Sequence, residues 1–385
     1  MRIVHLCLEA PYTDLWGYQE NLLGKYHRKQ GHEVTVITGN RKHENGTIVT
    51  TPCGRYDLPD GQHIIRLEYE QILCDQISRV VRRYPIYDLL LELQPDFVMV
   101  HGLSNPSVLQ LRRFVKQHRP DCRVVADNHL DDFNAPSLEG LKGRLLIAMY
   151  RYVNRKMQPL YRRVYGVTPG RVEYQQRIFG ISREKCALLP MGADDEHINF
   201  EKAPIIRRDL REKHGISEDD FLLVTGGRID AAKKIDVLLR AVTELSSERI
   251  KLMVFGKPDK EMEKVLEQYG KHSAVRLIGW LPSEQVYDYF LASDLIVFPG
   301  SHSVLWEQAC ACGVPAIFAR RHGMEHVDLG GNCLLVNGES VSELQKAICG
   351  LAENPTAYKE MQEKARTLGA TAFSYAAMAE KILKE

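Results

Sequence analysis

Residues 221–242 read FLLVTGGRIDAAKKIDVLLRAV. An apolar, β-branched run leads into Gly226 and Gly227, a charged turn follows, and apolar residues then recur at helical spacing from Ile235 to Val242. A buried strand feeding a loop and then an amphipathic helix is the repeating unit of a parallel α/β sheet. The same signal returns downstream in KLMVFG (251–256), VRLIG (275–279) and DLIVFP (294–299). Upstream it appears in IVHLCL (3–8), EVTVIT (33–38), FVMVH (97–101) and RVVA (123–126). Right-handed βαβ crossovers join such strands, so each half of the chain predicts a doubly wound, Rossmann-like sheet with helices on both faces.

Around residues 186–205 the pattern breaks. CALLP leads to MGAD (191–194) and the polar, proline-bearing EHINFEKAPIIRR (196–208), after which the alternation restarts. The 385 residues therefore read as a first domain over 1–192, a linker over 193–205 and a second domain over 206–370. The final helical stretch, 371–385, is free to pack back on the first domain. Ligands bind such sheets beyond the carboxyl ends of their strands, so two of them in series predict domains facing across a cleft.

Composition narrows the function. A formal charge of +1 gives no footing for nucleic acid. The nine cysteines are scattered and form no CxxC or Cys/His spacing, which predicts a reducing compartment without a zinc site. The apolar run before Glu9 is too short for a secretory segment, and no stretch reaches the roughly 20 apolar residues of a membrane span. The expectation is a cytoplasmic chain, with any membrane contact peripheral on the inner face. For that contact the candidate is 142–171, which holds eight Lys or Arg and no acid, interleaved with Leu145, Leu146, Ile147, Met149, Tyr150 and Tyr152. Such a segment suits an anionic bilayer or an acidic acceptor, and reads equally as a solvated face.

Two elements of the second half carry chemistry. Arg228 and Lys233 bracket the loop after a strand and the first turn of the following helix, where two cations can clamp a diphosphate with help from helix-terminal amides. A structural arginine and a solvated lysine would look the same. Further on, PGSHSVLWEQACACGVP (299–315) reads as strand end, tight loop and short helix. The amides of Ser301 to Val304 face phosphate oxygens in this reading. Glu307, among Val304, Leu305, Trp306 and Ala309, is a buried carboxylate that needs a partner, and a ribose diol is one candidate.

With VRLIGWLPSEQVYDYFLASDLIVFP (275–299) between them, these elements resemble the family 4 (group 1) glycosyltransferases of the GT-B fold, over nearly the whole chain. Leu15-Trp16-Gly17-Tyr18-Gln19-Glu20, Gly31-His32-Glu33-Val34 and Leu188-Leu189-Pro190-Met191-Gly192-Ala193-Asp194 extend the match. The resemblance implies a retaining, hexosyltransferase-like enzyme acting on a UDP- or GDP-linked sugar, with a glycan, lipid-linked or small-molecule acceptor. The implied setting is cell-surface polysaccharide or glycoconjugate synthesis. It implies that Arg228 and Lys233 bind the diphosphate and that Glu307 binds the ribose. Backbone near Trp280 and Leu281 would read the base, although Trp280 serves equally as a core aromatic. Gly17 would let backbone approach the donor, and His129 would lie beside the transferred sugar, with His101 a weaker candidate. One departure stands out: the family's first motif glutamate falls at Pro299, and the shortened loop offers only His302 or Ser303 for the sugar.

Catalysis would then be positioning and charge stabilisation rather than a carboxylate pair. No Asp-x-Asp occurs, so neither metal nor other cofactor is expected. Alternatives that keep the fold are a nucleotide-sugar epimerase and a non-catalytic nucleotide-sugar-binding protein. A phosphorylase would need a pyridoxal lysine and a longer chain, and a dehydrogenase would need GxGxxG after the first strand.

Overall fold

The computed structural model describes residues 1–44, 46–72, 78, 81–135 and 140–385. The chain forms two compact units, the first from Met1–Pro190 with Tyr375–Glu385 and the second from Met191–Ser374.

The first unit contains β1 (Arg2–Cys7), β2 (Glu33–Gly39), β3 (Arg41–Glu44), β4 (Thr47–Thr50), β5 (Gly54–Asp57), β6 (His63–Leu67), β7 (Phe97–His101), β8 (Arg123–Asn128), β9 (Tyr161–Gly166) and β10 (Cys186–Leu188). β3 and β4 make a separate antiparallel hairpin. The other strands form one sheet in the order β10-β9-β8-β7-β1-β2-β6-β5, parallel except at its β5 edge. Connections run outward from β1 on both sides, so the topological switch point falls at β1 and β7. Strand alternation sends Val4 and Leu6 into one core layer and Ile3 into the other, with His5 on the Ile3 face. The helix Gln19–Lys29 covers that second face with Leu22, Leu23 and Tyr26. Met378, Ala379 and Ile382 of the last helix, Tyr375–Ile382, are buried in the same layer.

The second unit holds β11 (Phe221–Ile229), β12 (Ile250–Pro258), β13 (Val275–Gly279), β14 (Leu295–Phe298), β15 (Ala316–Ala319) and β16 (Cys333–Val336). All pairings are parallel, in the order β13-β12-β11-β14-β15-β16. The switch point lies between β11 and β14; the end of β11 and its following turn carry Arg228–Lys233, and the loop after β14 carries 299–304. Leu222 and Val224 pack into one layer and Leu223 into the opposite one.

The segment expected to be a linker is part of this unit. Ala193 N donates to Phe373 O at 2.8 Å, and the helix Ala203–Lys213 begins inside 193–205. Pro204 was the cue for a break. It stands in the helix's first turn, where its missing N–H has no partner to lose. From that helix the buried Arg211 reaches Asp294 at 2.5 Å and the carbonyl of Ser217 at 2.7 Å.

Candidate active site

In the second unit, Arg228 is the penultimate residue of β11. Its side chain is 82% exposed and lies 3.2 Å from Asp230. Asp230 caps the 3-10 turn Ala231–Lys233 by accepting from Ala232 N at 3.1 Å. Lys234 then adopts a left-handed φ of 54° before the helix Ile235–Thr243 starts. Lys233 thus precedes the helix rather than occupying its first turn. Its ammonium donates to the carbonyls of Ser301 at 2.8 Å and His302 at 3.2 Å. Burial lowers its pKa, and the nearby charges of Arg321 and Arg228 add to that against the pull of Asp230. Three cations therefore share this edge, and an anion placed among them would relieve their repulsion. Arg321 carried no sequence signal.

The loop after β14 packs directly on that turn. Ser301 N donates to Ala232 O at 2.8 Å, so this amide, expected to face phosphate, is already engaged. A Cβ at Gly300 would sit 2.2 Å from the carbonyl carbon of Lys233. Ser303 O accepts from Trp306 N at 3.0 Å, and Val304 immediately precedes the helix Leu305–Ala311.

Glu307 on that helix is 0% exposed. Its Oε1 accepts from His302 Nε2 and His326 Nε2, both at 2.8 Å. Burial opposes its charge, but the two imidazoles outweigh it and hold the carboxyl down at about 2. Its Oε2 and His326 Nδ1 are buried without partners. The His302 ring stands edge-on to Trp306, centroids 5.2 Å apart, and is turned inward rather than outward as a sugar contact would require. His326, nineteen residues beyond Glu307, was not foreseen. Trp280 is 71% exposed, which removes the core-aromatic alternative. Leu281 is half-buried against the core layer that holds Trp306.

In the first unit the sequence candidates lie in the loop after β1 and at the carboxyl ends of β7 and β8. Gly17 is exposed, with nothing within 4 Å of where a Cβ would stand. His101 closes β7 and donates from Nδ1 to Asp127 Oδ2 at 2.7 Å. Asp127, near the end of β8, is fully buried. Burial works against its charge, but His101 and His129 prevail and keep the carboxyl well below the usual range. His129 Nε2 lies 3.5 Å from the same oxygen and has no hydrogen-bond partner. Burial disfavours charge on His129, yet Asp127 raises its pKa on balance. Behind His101 two further imidazoles continue the contact. His101 Nε2 is 2.9 Å from His5 Nδ1, and His5 Nε2 is 3.0 Å from His27 Nδ1. His27 Nε2 donates to the carbonyl of Ala379 at 3.1 Å. His5 and His27 were not among the candidates, because a lone histidine in an apolar strand or helix gives no local sign of its partners.

Two imidazole–carboxylate clusters, His101–Asp127–His129 and His302–Glu307–His326, have their nitrogens and oxygens within 4.8 Å of one another. Their shortest contacts have the length of N–H donation to a carboxylate, so they read as hydrogen-bonded groups rather than ligand sets.

Comparison with known proteins agrees with this layout. Residues 21–197 match the family described as Glycosyltransferase Family 4, and residues 206–368 match Glycosyl transferases group 1. Among curated relatives, D-inositol 3-phosphate glycosyltransferase 2 of Catenulispora acidiphila is 27% identical over 220 residues, covering 53% of this chain and 47% of that protein. The D-inositol 3-phosphate glycosyltransferase of Corynebacterium jeikeium is 29% identical over 229 residues, covering 55% and 54%. The chain thus spans about half the length of the curated relatives it matches. Among solved structures, Anabaena HepE in complex with UDP superimposes with a TM-score of 0.68 at 14% identity, over 100% of this chain and 99% of that one. WaaG, a glycosyltransferase involved in lipopolysaccharide biosynthesis, gives 0.63 at 17% identity over 99% and 98%. Two doubly wound units, a cationic edge on the second and matches to both halves lead to one assignment: the chain belongs to the family 4, group 1 glycosyltransferases of the GT-B fold.

Proposed function

We propose that the chain transfers a sugar, with retention of anomeric configuration, from a UDP- or GDP-linked donor to a glycan, lipid-linked or small-molecule acceptor, in cell-surface polysaccharide or glycoconjugate synthesis. The observation that carries this reading is the cationic edge of the second unit. There Lys233 is fixed on the 301–302 carbonyls, Arg228 is exposed beside it, and Arg321 adds a third charge. Relatives support it: HepE is described with UDP and with UDP-glucose, and a starch synthase with ADP. The named relatives that act on D-inositol 3-phosphate favour a phosphorylated or otherwise anionic small acceptor as one option.

In this reading the bond from the anomeric carbon to the diphosphate breaks as the bond to the acceptor oxygen forms on the same face. The acceptor's proton passes to a departing phosphate oxygen. Arg228 and Lys233 stabilise the charge that grows there. Trp280 and Leu281 border the base, Gly17 leaves room for the donor, and His129 works beside the sugar. Glu307 would bind the ribose through Oε2, a buried oxygen without a donor that a hydroxyl could satisfy. Ser303 and Val304 line the same loop. No metal is required, because the cations replace it.

A thermal-shift screen with UDP, GDP and ADP tests the donor site. At about 100 times its Kd, one of them should raise Tm by about 5 °C. Arg228→Ala should abolish the rise and EDTA should leave it intact. If no nucleoside diphosphate moves Tm, the donor-site reading fails. An epimerase would release a changed nucleotide-sugar without any acceptor, and a non-catalytic binder would shift Tm but turn nothing over.

We also propose a peripheral membrane contact through 142–171. Leu141, Leu145 and Tyr152 on the helix Gly140–Met157 are exposed, at 75%, 63% and 49%, among Lys142, Arg144, Arg155 and Lys156.

A further inference from the structure

The chain from Ala379 to Asp127 can be followed one proton at a time. A carbonyl only accepts, so His27 Nε2 carries a proton, and with that ring neutral its Nδ1 accepts from His5 Nε2. His5 Nδ1 then accepts from His101 Nε2. A carboxylate also only accepts, so His101 Nδ1 must donate to Asp127. Four hydrogen bonds need four protons, yet three neutral imidazoles bring three. Charge points the same way whenever His129 is neutral. Asp127 is 0% exposed, as are His5 and His27. Three neutral rings would leave this enclosed group with a net negative charge and one hydrogen bond unmade, whereas a fourth proton makes it neutral and complete. The opposite excess is also disfavoured: a fifth proton would set two N–H groups against each other. Burial, with the neighbouring imidazoles, accordingly drives the His5 and His27 pKa values down, His27 to about 4.

We propose that His27, His5 and His101 form a hydrogen-bonded imidazole chain holding one proton beyond the neutral count, paired with Asp127, and that His101 and Asp127 are positioning residues for His129. Asp127 Oδ2 is shared between His101 at 2.7 Å and His129 at 3.5 Å. The stored proton neutralises part of the carboxylate charge and so limits how far Asp127 pulls His129 toward its cationic form. His129 is thereby left able to change protonation. Its relevance to turnover rests on the reading that His129 works beside the transferred sugar.

Among the described residues, few other ionisable groups face this cluster. Glu9 accepts from Ser104 N at 2.9 Å, and Glu20 on the helix Gln19–Lys29 acts on His129. Arg171 also faces His129 and is paired with Asp131 at 3.0 Å. Cys7 neighbours Asp127, its thiol pushed up by burial. His32 lies beside His27, with ring centroids 6.4 Å apart.

The test is nitrogen NMR of the full chain labelled with 15N-histidine, which reads each ring's protonation directly. At pH 8.5 the wild-type protein should show, among its 14 histidines, one ring other than His129 with both nitrogens protonated. Neutral rings at every histidine other than His129 would overturn the stored proton. His101→Gln keeps a donor and an acceptor but holds no charge. It should move the midpoint of His129 upward by about one pH unit, and Asp127→Asn should move it downward by at least as much. Midpoints that stay put in both variants, each with a wild-type backbone spectrum, would overturn the positioning role. Should either variant fail to fold, the wild-type spectrum still decides the proton count. Full turnover in His129→Ala would sink only the role of His129 in transfer, because none of the NMR readouts depends on activity.

Discussion

Gly300 matters for its lack of a side chain. Its Cα lies against the backbone of Lys233 and Ala232, closely enough that a methyl group would overlap the Lys233 carbonyl. Gly300→Ala must therefore push the loop off the turn and stretch both the Ser301 N to Ala232 O bond and the Lys233 contacts. The expected cost is about 1–3 kcal/mol in urea unfolding, together with loss of most of the nucleoside-diphosphate rise in Tm. A variant with wild-type stability and an intact rise would show that this contact does not shape the site. The residues that sequence reading did and did not find differ in one physical respect. Arg228, Lys233 and Glu307 lie in local patterns of strand, turn and helix. His326, Arg321, His5 and His27 gain their meaning from partners on other elements, and hydrophobic periodicity carries no information about those.

The helix Gly140–Met157 is two-sided. Its buried residues include Tyr150, Val153 and Met157, and its opposite side combines exposed leucines with basic residues. Arg151 is tied to the carbonyls of Ile178 and Arg177, so it is not free for lipid, whereas Lys142, Arg144, Arg155 and Lys156 remain candidates. Sedimentation with vesicles tests this surface. The protein should pellet with vesicles containing about a third phosphatidylglycerol at low salt, and much less with neutral ones. Leu141→Ser with Leu145→Ser should cut binding severalfold. Equal recovery in the supernatant for both lipid types would mean that the helix is only a solvated surface. The basic, partly apolar stretch 142–171 was legible but its boundary was not, because the helix ends at Met157 and Tyr161–Gly166 is a strand. Ala203–Lys213 was not legible either, because a proline that begins a helix and one that ends a strand look alike in one dimension.

For the whole molecule, the buried imidazoles make acid the weak side. His27 titrates near 4 in the fold and near 6.5 unfolded, so the unfolded chain binds the extra proton first as pH falls. Its stabilisation is complete above about pH 6.5 and is lost progressively down to about pH 4, on the order of 3 kcal/mol. His5 works in the same direction. Glu307, held near 2 against 4.5 unfolded, adds a second loss between those values. His129, raised in the fold, acts in the opposite direction, losing its contribution as pH climbs. Tm should accordingly drop steeply between pH 6.5 and 4, and a flat Tm over that range would contradict the protonation states drawn above. At this scale the sequence made the two doubly wound sheets legible, because their strands repeat one local signal. It put the first crossing near residue 192 and left open whether 371–385 returns, since that depends on which core the last apolar helix finds.

Those crossing points lie side by side. Ala193, just past one of them, pairs with Ser374, just before the other, and hydrogen-bonds to Phe373. The second unit is therefore an uninterrupted stretch of chain whose two ends meet. A gene fragment for 191–374 should encode an autonomous module, suited to grafting into a surface loop of another scaffold. The first unit can be made alone only by splicing Pro190 onto Tyr375.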